Sequence, residues 1–308
     1  MSTSHTAIPQ PTEPREMAGT MMHATRPFFW SVRRELWEHR SIYIAPLAAA
    51  GLALFGFLFS LTSLTRRVGA AAALDAVHQR QTLMRPYDYA AGFLMVAALI
   101  VGIVYCLDTL YGERRDRSVL FWKSLPVSDL NVVLSKASVP LAILPLLTWS
   151  LTVATQFIIL LLSMVALTGH GAGIALLWTQ VSLFQMSLML LYHLVTVHVL
   201  WHAPLYGWLL MVSAWARRAP VLWAVLPPLA IIAVEALVFN SSHFAHWLGY
   251  RFSGGSEAMV MTGGMPLDPG THLTPGRFLS TPGLWFGLIF TAGFILAAAR
   301  LRRYRGPI

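Results

Sequence analysis

Charge is what this chain has least of. Asp, Glu, Lys and Arg make up 11% of its 308 residues, less than half of the roughly 25% that an ordinary soluble domain carries. Lysine is nearly missing, since Lys123 and Lys136 are the only two and almost every positive charge is an arginine. Cysteine is reduced to Cys106, which excludes an internal disulfide framework. Inside an apolar stretch this residue reads as a small buried hydrophobe. No secretory leader is expected in the first 25 residues, because they lack a basic-then-apolar layout with a small-residue cleavage site. With Pro9, Pro11 and Pro14 they read as a flexible cytoplasmic tail, and the first apolar stretch is expected to persist in the mature protein.

The scarcity of lysine also bears on energy supply. A phosphate-binding P-loop needs a lysine followed by Ser or Thr after a glycine-rich turn. Lys136 is followed by Ala137, and Lys123-Ser124 is preceded by Arg117–Trp122 without a glycine. The chain is therefore expected to hydrolyse no ATP and to hold no cofactor, metal or catalytic group of its own. Energy comes from a partner or from an ion gradient.

What the chain does have is long apolar runs. Hydrophobic residues form 56% of it and the mean hydropathy is +0.61. Six segments are about the length that a helix rising 1.5 Å per residue needs to cross a hydrocarbon core of about 30 Å. They are Ile42–Leu64, Tyr89–Leu110, Ala137–Leu167, Ala175–Trp201, Val221–Asn240 and Pro282–Arg300, the third long enough to tilt or project. Ala203–Ala216 is apolar but too short to cross, and with Pro204 at its start it reads as an interfacial or re-entrant piece. The fold class is an all-α integral membrane protein of six transmembrane helices.

Positive residues flanking spans stay preferentially on the cytoplasmic side. With the N-terminus inside, Arg66, Arg67, Arg80, Arg85, Arg251 and Arg277 fall outside, and the other 16 of the 22 basic residues fall inside. Both termini are thus expected in the cytoplasm. The net charge of +9 is dispersed beside the spans, which argues against nucleic acid as a partner. Small residues at Ala45, Ala49 and Ala53 in the first span, and at Gly283, Gly287 and Thr291 in the last, mark faces where helices can approach closely.

Two segments next to the spans carry mechanism. Residues 26–40 place Phe29, Val32 and Leu36 on one helical face with Arg33, Arg34, Glu38 and Arg40 largely elsewhere, the pattern of an amphipathic helix lying among lipid headgroups. The loop 111–130 packs Glu113, Arg114, Arg115, Asp116 and Arg117 ahead of an apolar knob, Val119, Leu120, Phe121 and Trp122. Ser128 then stands ready to cap the next helix. Docking into a groove on another protein and hugging lipid phosphates are both open to such a loop.

The run Glu113-Arg-Arg-Asp-Arg-Ser118, then Phe121-Trp-Lys-Ser-Leu-Pro-Val-Ser-Asp129 and Leu134-Ser-Lys136, resembles the first cytoplasmic loop of ABC-2 type transporter permeases. These are the membrane subunits of bacterial ABC exporters. The amphipathic segment and the six-span order are similar to the same family, so the likeness runs from Arg26 to Arg303. It implies an N-terminal interfacial helix, with Phe29, Arg33, Arg34 and Leu36 as its marker residues. It also implies a cytoplasmic coupling helix contacting a separate ATPase subunit through Glu113, Arg114, Arg115, Asp116, Arg117, Phe121 and Trp122. ATP and Mg would be bound in that partner. A second permease copy or a paralogue would complete the assembly in lipid, in the bacterial inner membrane. The resemblance identifies machinery better than cargo, and the apolar spans suit an amphipathic, lipid-like, peptide or antibiotic substrate. The 241–281 outer loop is longer than a minimal permease needs.

Polar residues inside the spans mark pathway or gating candidates. Glu235 is expected about 21 Å up the fifth span by helical rise, above a kink at Pro227-Pro228. Gln185 and His193 accompany it from the fourth span. His198 and His202, four apart, are placed to share a metal, whereas the spacing of His193 and His198 does not suit two ligands on a common helix face. A membrane-embedded metal or haem enzyme or assembly factor using these histidines is the alternative reading. Met259, Met261 and Met265 with His243, His246 and His272 add a copper-related permease as a further one. A gradient-driven carrier would show repeated spans, and none is evident.

Overall fold

The computed structural model describes residues 28–123, 127–253, 259–260 and 272–305, which are almost entirely helical. The tail 1–25, Met261 and Met265 lie outside the described residues, as do the side chains of Trp122, Met259 and His272. Six helices among the described residues are long and apolar enough to cross a membrane: Ser41–Leu61, Ala76–Arg115, Asp129–Ala166, Gly171–Trp201, Pro220–Phe239 and Pro282–Tyr304. These match the six expected segments, with the second beginning thirteen residues before Tyr89.

A first helix, α1 (28–38), ends at His39 and Arg40, and the chain turns there into α2 (Ser41–Leu61). After the short α3 (Leu64–Ala71), the 40-residue α4 (Ala76–Arg115) forms the mast of the molecule. At 1.5 Å per residue it is about 60 Å long, twice a hydrocarbon core. Over half of its most apolar window is buried, more than in any other candidate span. Leu83, Tyr87, Ala91, Met95, Ala98, Tyr105 and Cys106 line its packed faces. Its first turns project beyond the apolar layer and pack with α3 and α8 (Gly171–Gln180) through Leu64, Val68, Leu83, Leu167 and Leu177.

The third crossing is α6 (Asp129–Ser138), a π-helical turn Val139–Ile143, and α7 (Leu144–Ala166). Pro140 and Pro145 explain the wide turn, because proline lacks a donor and its ring clashes with the carbonyl four residues back. Ser128 caps α6 by accepting from the Asn131 N–H at 3.2 Å, as its place in the loop predicts. Further along, Thr148, Thr152 and Thr155 each donate to the carbonyl four residues earlier at 2.7 Å, so their hydroxyls are satisfied inside an apolar bundle.

The fourth crossing differs from its expected form. After α8 the backbone extends at Val181 and Ser182, and α9 (Leu183–His193) starts afresh with Ser182 as its cap. It continues through a π-helical stretch, Leu194–Trp201, into α10 (Ala203–Trp215). The segment read as interfacial or re-entrant is thus a helix that carries the chain on past the fourth span, buried between α4 and α14 (Pro282–Tyr304). Pro204 does not interrupt it, since a proline in the first turn of a helix has no intrahelical bond to lose. His202 bridges the joint, donating its N–H to Val197 and accepting from Leu205 and Tyr206.

α11 (Pro220–Phe239) is the opposite of α4, with Ala224 its one buried residue among those described. It is held to α10 by the Trp208 indole, which donates to the Ala224 carbonyl at 3.2 Å, and by the edge-on pair Trp215–Trp223. Asn240, at φ +46°, ends it, and α12 (His243–Phe252) follows. A two-residue antiparallel pair, Met259 opposite Leu273 and Val260 opposite His272, then leads to the short α13 (Pro275–Ser280) and to α14. The expected small-residue stripe of α14 is a true contact face: Gly207 of α10 meets Thr291, and Gly287 meets Pro204. Both α1 and the end of α14 lie at one end of the bundle, called the basic end below.

One polar residue ties α10 to the mast there. The buried Ser213 hydroxyl donates to the Leu107 carbonyl at 2.8 Å and accepts from the Leu110 and Tyr111 N–H groups. Replacing it strands groups that have no water to turn to. Ser213→Ala is expected to destabilise the purified protein by about 1–3 kcal/mol, read as a lower melting temperature in detergent. An unchanged melting temperature would mean that α4 needs no help at this point.

Candidate functional site

The basic end is organised around a fully buried ammonium. Lys136, on α6, reaches the Glu35 carboxylate of α1 at 2.8 Å, the Glu113 carboxylate of α4 at 3.1 Å and the Thr109 hydroxyl at 2.8 Å. Glu35 is equally buried, and its second oxygen accepts from the Tyr105 hydroxyl at 2.8 Å and from Thr109 at 3.2 Å. Arg34 closes the network from α1, bonding Glu113 at 2.8 Å and Glu35 at 2.9 Å. From α14, Arg302 pairs with the other oxygen of Glu113 at 3.3 Å and with Asp129 at the start of α6. Three cations thus face three carboxylates, with Glu38 at the rim against Arg34.

The local sequence explains how each group arrives. Val132, Val133 and Ala137 give α6 an apolar face, and Lys136 falls on that same face, so folding carries its ammonium into the core. α1 has the reverse logic. Its buried position is Glu35, whereas Phe29, Trp30 and Trp37 stay exposed, with the Arg33 guanidinium 5.2 and 4.7 Å from the two indole rings. Of the face Phe29, Val32 and Leu36, Leu36 is partly buried against the core and Phe29 is exposed, while Arg34 points in.

Burial by itself raises the pKa of a carboxyl, yet Glu35 is held at about 2, because Lys136 and then Arg34 and Tyr105 favour its ionised form. Glu38 goes the other way, pushed up by partial burial and, against the pull of Arg34, by the neighbouring Glu35. Glu35, Glu38 and His39 also bring ligand atoms within 4.8 Å of one another. The Glu35 oxygens are already engaged by Lys136, Arg34, Tyr105 and Thr109, so the trio does not suit a metal ion.

The residues expected to contact a partner divide into two sets. Glu113 and Arg114 turn inward, Glu113 into the network and Arg114 onto the Ala214 and Ala216 carbonyls that end α10. A cation there satisfies carbonyls left open at a helix C-terminus. Arg115 and Asp116 stay outside and pair with each other at 3.0 Å. Arg117 turns the chain at φ +60° into α5 (Ser118–Lys123), which buries Val119 and exposes Leu120 and Phe121. Lys123 then ties α5 to the end of α14 through the Arg303 carbonyl at 3.2 Å.

The pathway candidates are not brought together, and among the described residues no hydrogen bond, ion pair or ring contact joins any two of them. Gln185 accepts from Arg80 at 3.0 Å near the far end of the bundle. Glu235 is not the deep acid its position suggested, since it lies one turn from the end of α11. There it accepts from the Ser241 hydroxyl and from the His243 and Phe244 N–H groups, which are the open donors at the start of α12. His193 stacks edge-on against His198 with ring centroids 5.9 Å apart, and His198 lies 5.6 Å from His202. His193 and His198 come into ring contact because this stretch is π-helical, with more residues per turn than an α-helix. The three rings do not gather their nitrogens around one point.

Comparison with known proteins leaves the geometry to stand alone: no family model, no curated protein and no solved structure matches the chain. Glu35 and Lys136 were not singled out as site residues from the sequence. The signal was available in the second lysine, a cation on the apolar face of a span, which requires a buried partner.

Two outcomes are expected. Lys136→Met leaves two buried carboxylates without their shared cation and should cost about 3–5 kcal/mol, while Glu35→Gln with Lys136→Met recovers part of that loss. Because the Glu35 pKa is depressed when α1 is docked, its contribution is complete above pH 4.5 and is lost as pH falls from 4.5 towards 2. Melting temperature against pH should fall through that window in the wild type and more shallowly in Glu35→Gln. Separately, Glu235→Gln leaves the α12 donors facing an amide and should lower the melting temperature by a few degrees, without shifting the pH dependence of any activity.

Proposed function

We propose that this chain is the membrane-spanning subunit of an ATP-driven ABC-2 type exporter, acting with a separate ATPase subunit and a second copy or paralogue. The observation that carries this reading is the joint at the end of α4. Two elements hang from its last turn: α1, held through Glu113, and α5, which follows directly after Arg117. The same Glu113 reaches α6 through Lys136 and α14 through Arg302. A force applied to α5 from the aqueous side therefore acts on a rigid, charge-locked node shared by three of the six spans. Such a node suits conversion of ATPase closure into a switch between inward and outward access.

The surfaces fit the assignment of partners. α5 offers Leu120 and Phe121 beside Arg115 and Asp116, an apolar knob with charge of both signs around it. In α1, exposed Phe29, Trp30 and Trp37 with Arg33 between the indoles suit the headgroup layer, where amphipathic aromatics concentrate. With the N-terminus inside, sixteen of the basic residues in the sequence fall on the cytoplasmic side, which favours placing the node there, with both termini, in a bacterial inner membrane. Cargo of amphipathic, lipid-like, peptide or antibiotic character accords with spans that carry few ionisable groups. Gln185, Glu235 and His193 support no shared pathway, and the route is not assigned to them.

The test is to purify the tagged chain from its own host in detergent and to identify and assay any ATPase that accompanies it. Arg115→Glu with Asp116→Arg keeps the local pair but reverses its polarity. It is expected to reduce ATPase association, or stimulation of ATP hydrolysis, by about tenfold with membrane insertion intact. Purification alone, with transport driven by a proton gradient, would overturn the reading.

A further inference from the structure

A cavity of about 340 Å³ lies where α10, α11, α12 and α14 meet, on the side away from the charge network. Its walls are apolar and aromatic, including Leu205, Trp208, Pro227, Ile231 and Phe294, and among the described residues its only ionisable side chains are His202 and Arg251. The indole N–H groups of Trp201 and Trp208 are already bonded to the Tyr250 and Ala224 carbonyls. What the cavity offers a ligand is therefore a hydrocarbon-like lining with one permanent positive charge.

Arg251 reaches this place from α12 and is only 9% exposed. Its guanidinium lies 4.4 Å from the centre of the Trp201 ring. It donates to the Trp201 carbonyl at 3.3 Å and to the Gly283 carbonyl, and its Nε has no partner among the described residues. No carboxylate among the described residues lies within ion-pair distance of it. Two carbonyls and an aromatic face orient a guanidinium without neutralising it, and three of its five N–H groups have no hydrogen bond to the described residues. Burial also pushes its pKa below the usual arginine value. Room for it is built in: a Cβ on Gly287 would stand 2.7 Å from one terminal nitrogen and 3.0 Å from the other.

Depth and access point to the bilayer as a source of an anion for Arg251. Gly287 lies fifteen residues along α14 from Arg302, about 22 Å at helical rise, so the guanidinium belongs to the half of the bilayer away from the basic end. Ile231 and Phe290 line the cavity and are half-exposed on the outer faces of α11 and α14, so the opening is sideways, through apolar surface. A charge set below the headgroup layer behind such an opening is reached by a molecule that brings its own hydrocarbon.

We propose that this cavity is a binding site for one anionic amphiphile drawn from the bilayer. Its oxyanion, a phospholipid phosphate or a fatty-acid carboxylate, pairs with Arg251, and its chain lies between Trp208, Pro227, Ile231 and Phe294. The site goes beyond the exporter reading and stands without it, since binding needs no ATPase and no transport.

The experiment is native mass spectrometry of the full chain in non-ionic detergent, titrated separately with phosphatidylglycerol, phosphatidylcholine, palmitate and inorganic phosphate. Binding of phosphatidylglycerol or palmitate at least tenfold tighter than phosphatidylcholine supports the site, and the stronger of the two identifies the head group. Arg251→Gln should abolish that preference. Ile231→Trp, which narrows the cavity while leaving Arg251 and its carbonyl bonds in place, should weaken binding by about tenfold and covers the case in which the first variant fails to fold. Equal binding of phosphatidylglycerol, palmitate and phosphatidylcholine would overturn the proposal. So would wild-type preference in Arg251→Gln, wild-type binding in Ile231→Trp, or inorganic phosphate binding as tightly as the amphiphiles.

Discussion

Lys136 sits where water cannot reach it, and the arrangement of the basic end follows from that one buried ammonium. A cation removed from water requires opposite charge and hydrogen-bond acceptors at close range. Glu35, Glu113 and Thr109 supply them from two different helices. Those carboxylates in turn need more donors than Lys136 has, which brings in Arg34, Tyr105 and Arg302. The result joins a non-spanning helix to three spans by directional contacts rather than by apolar packing alone. In a bundle surrounded by lipid this matters, because hydrocarbon outside competes with hydrocarbon inside and confers little preference for one helix arrangement over another.

The same constraint, that polar groups in an apolar medium need partners, accounts for the irregular backbone. The third and fourth crossings both contain π-helical stretches. In the third, prolines remove donors and threonine hydroxyls occupy carbonyls one turn back. At helix ends the partners are side chains from elsewhere: Arg114 on the carbonyls of α10, Ser213 in the backbone of α4, Glu235 on the first donors of α12. Each is a polar side chain committed to structure. Glu235 shows why an acid within a span is not by itself evidence of a pathway, since a helix start one loop away makes the same demand for a carboxylate.

Arg251 departs from this pattern. Lys136 and Arg302 meet carboxylates, and Arg114 meets helix-terminal carbonyls. Arg251 has two carbonyls, an aromatic face and a cavity. It lies behind the sparsely packed α11, whose Pro227 and Ile231 line the cavity.

The number and rough limits of the crossings were legible in the sequence, because a run of about twenty apolar residues has few stable states other than a helix across a bilayer. The Ser128 cap and the Gly287–Thr291 contact face were legible for similarly local reasons. Which side chains meet across the bundle was not. Periodicity assigns residues to helix faces without saying which face another helix covers, so nothing marked Glu35 as the position that α1 buries. It also assumes a uniform helical turn, so the ring contact of His193 with His198 in the π-helical stretch could not be read from their spacing. Length alone separated Ala203–Ala216 from the crossing that it continues, because the joint at His202 keeps its hydrogen bonds despite Pro204. The sequence by itself determined the solvent, the helices and the scarcity of charge. Only the tertiary structure decided which few charges are buried together, because pairing depends on distances between helices that no local pattern encodes.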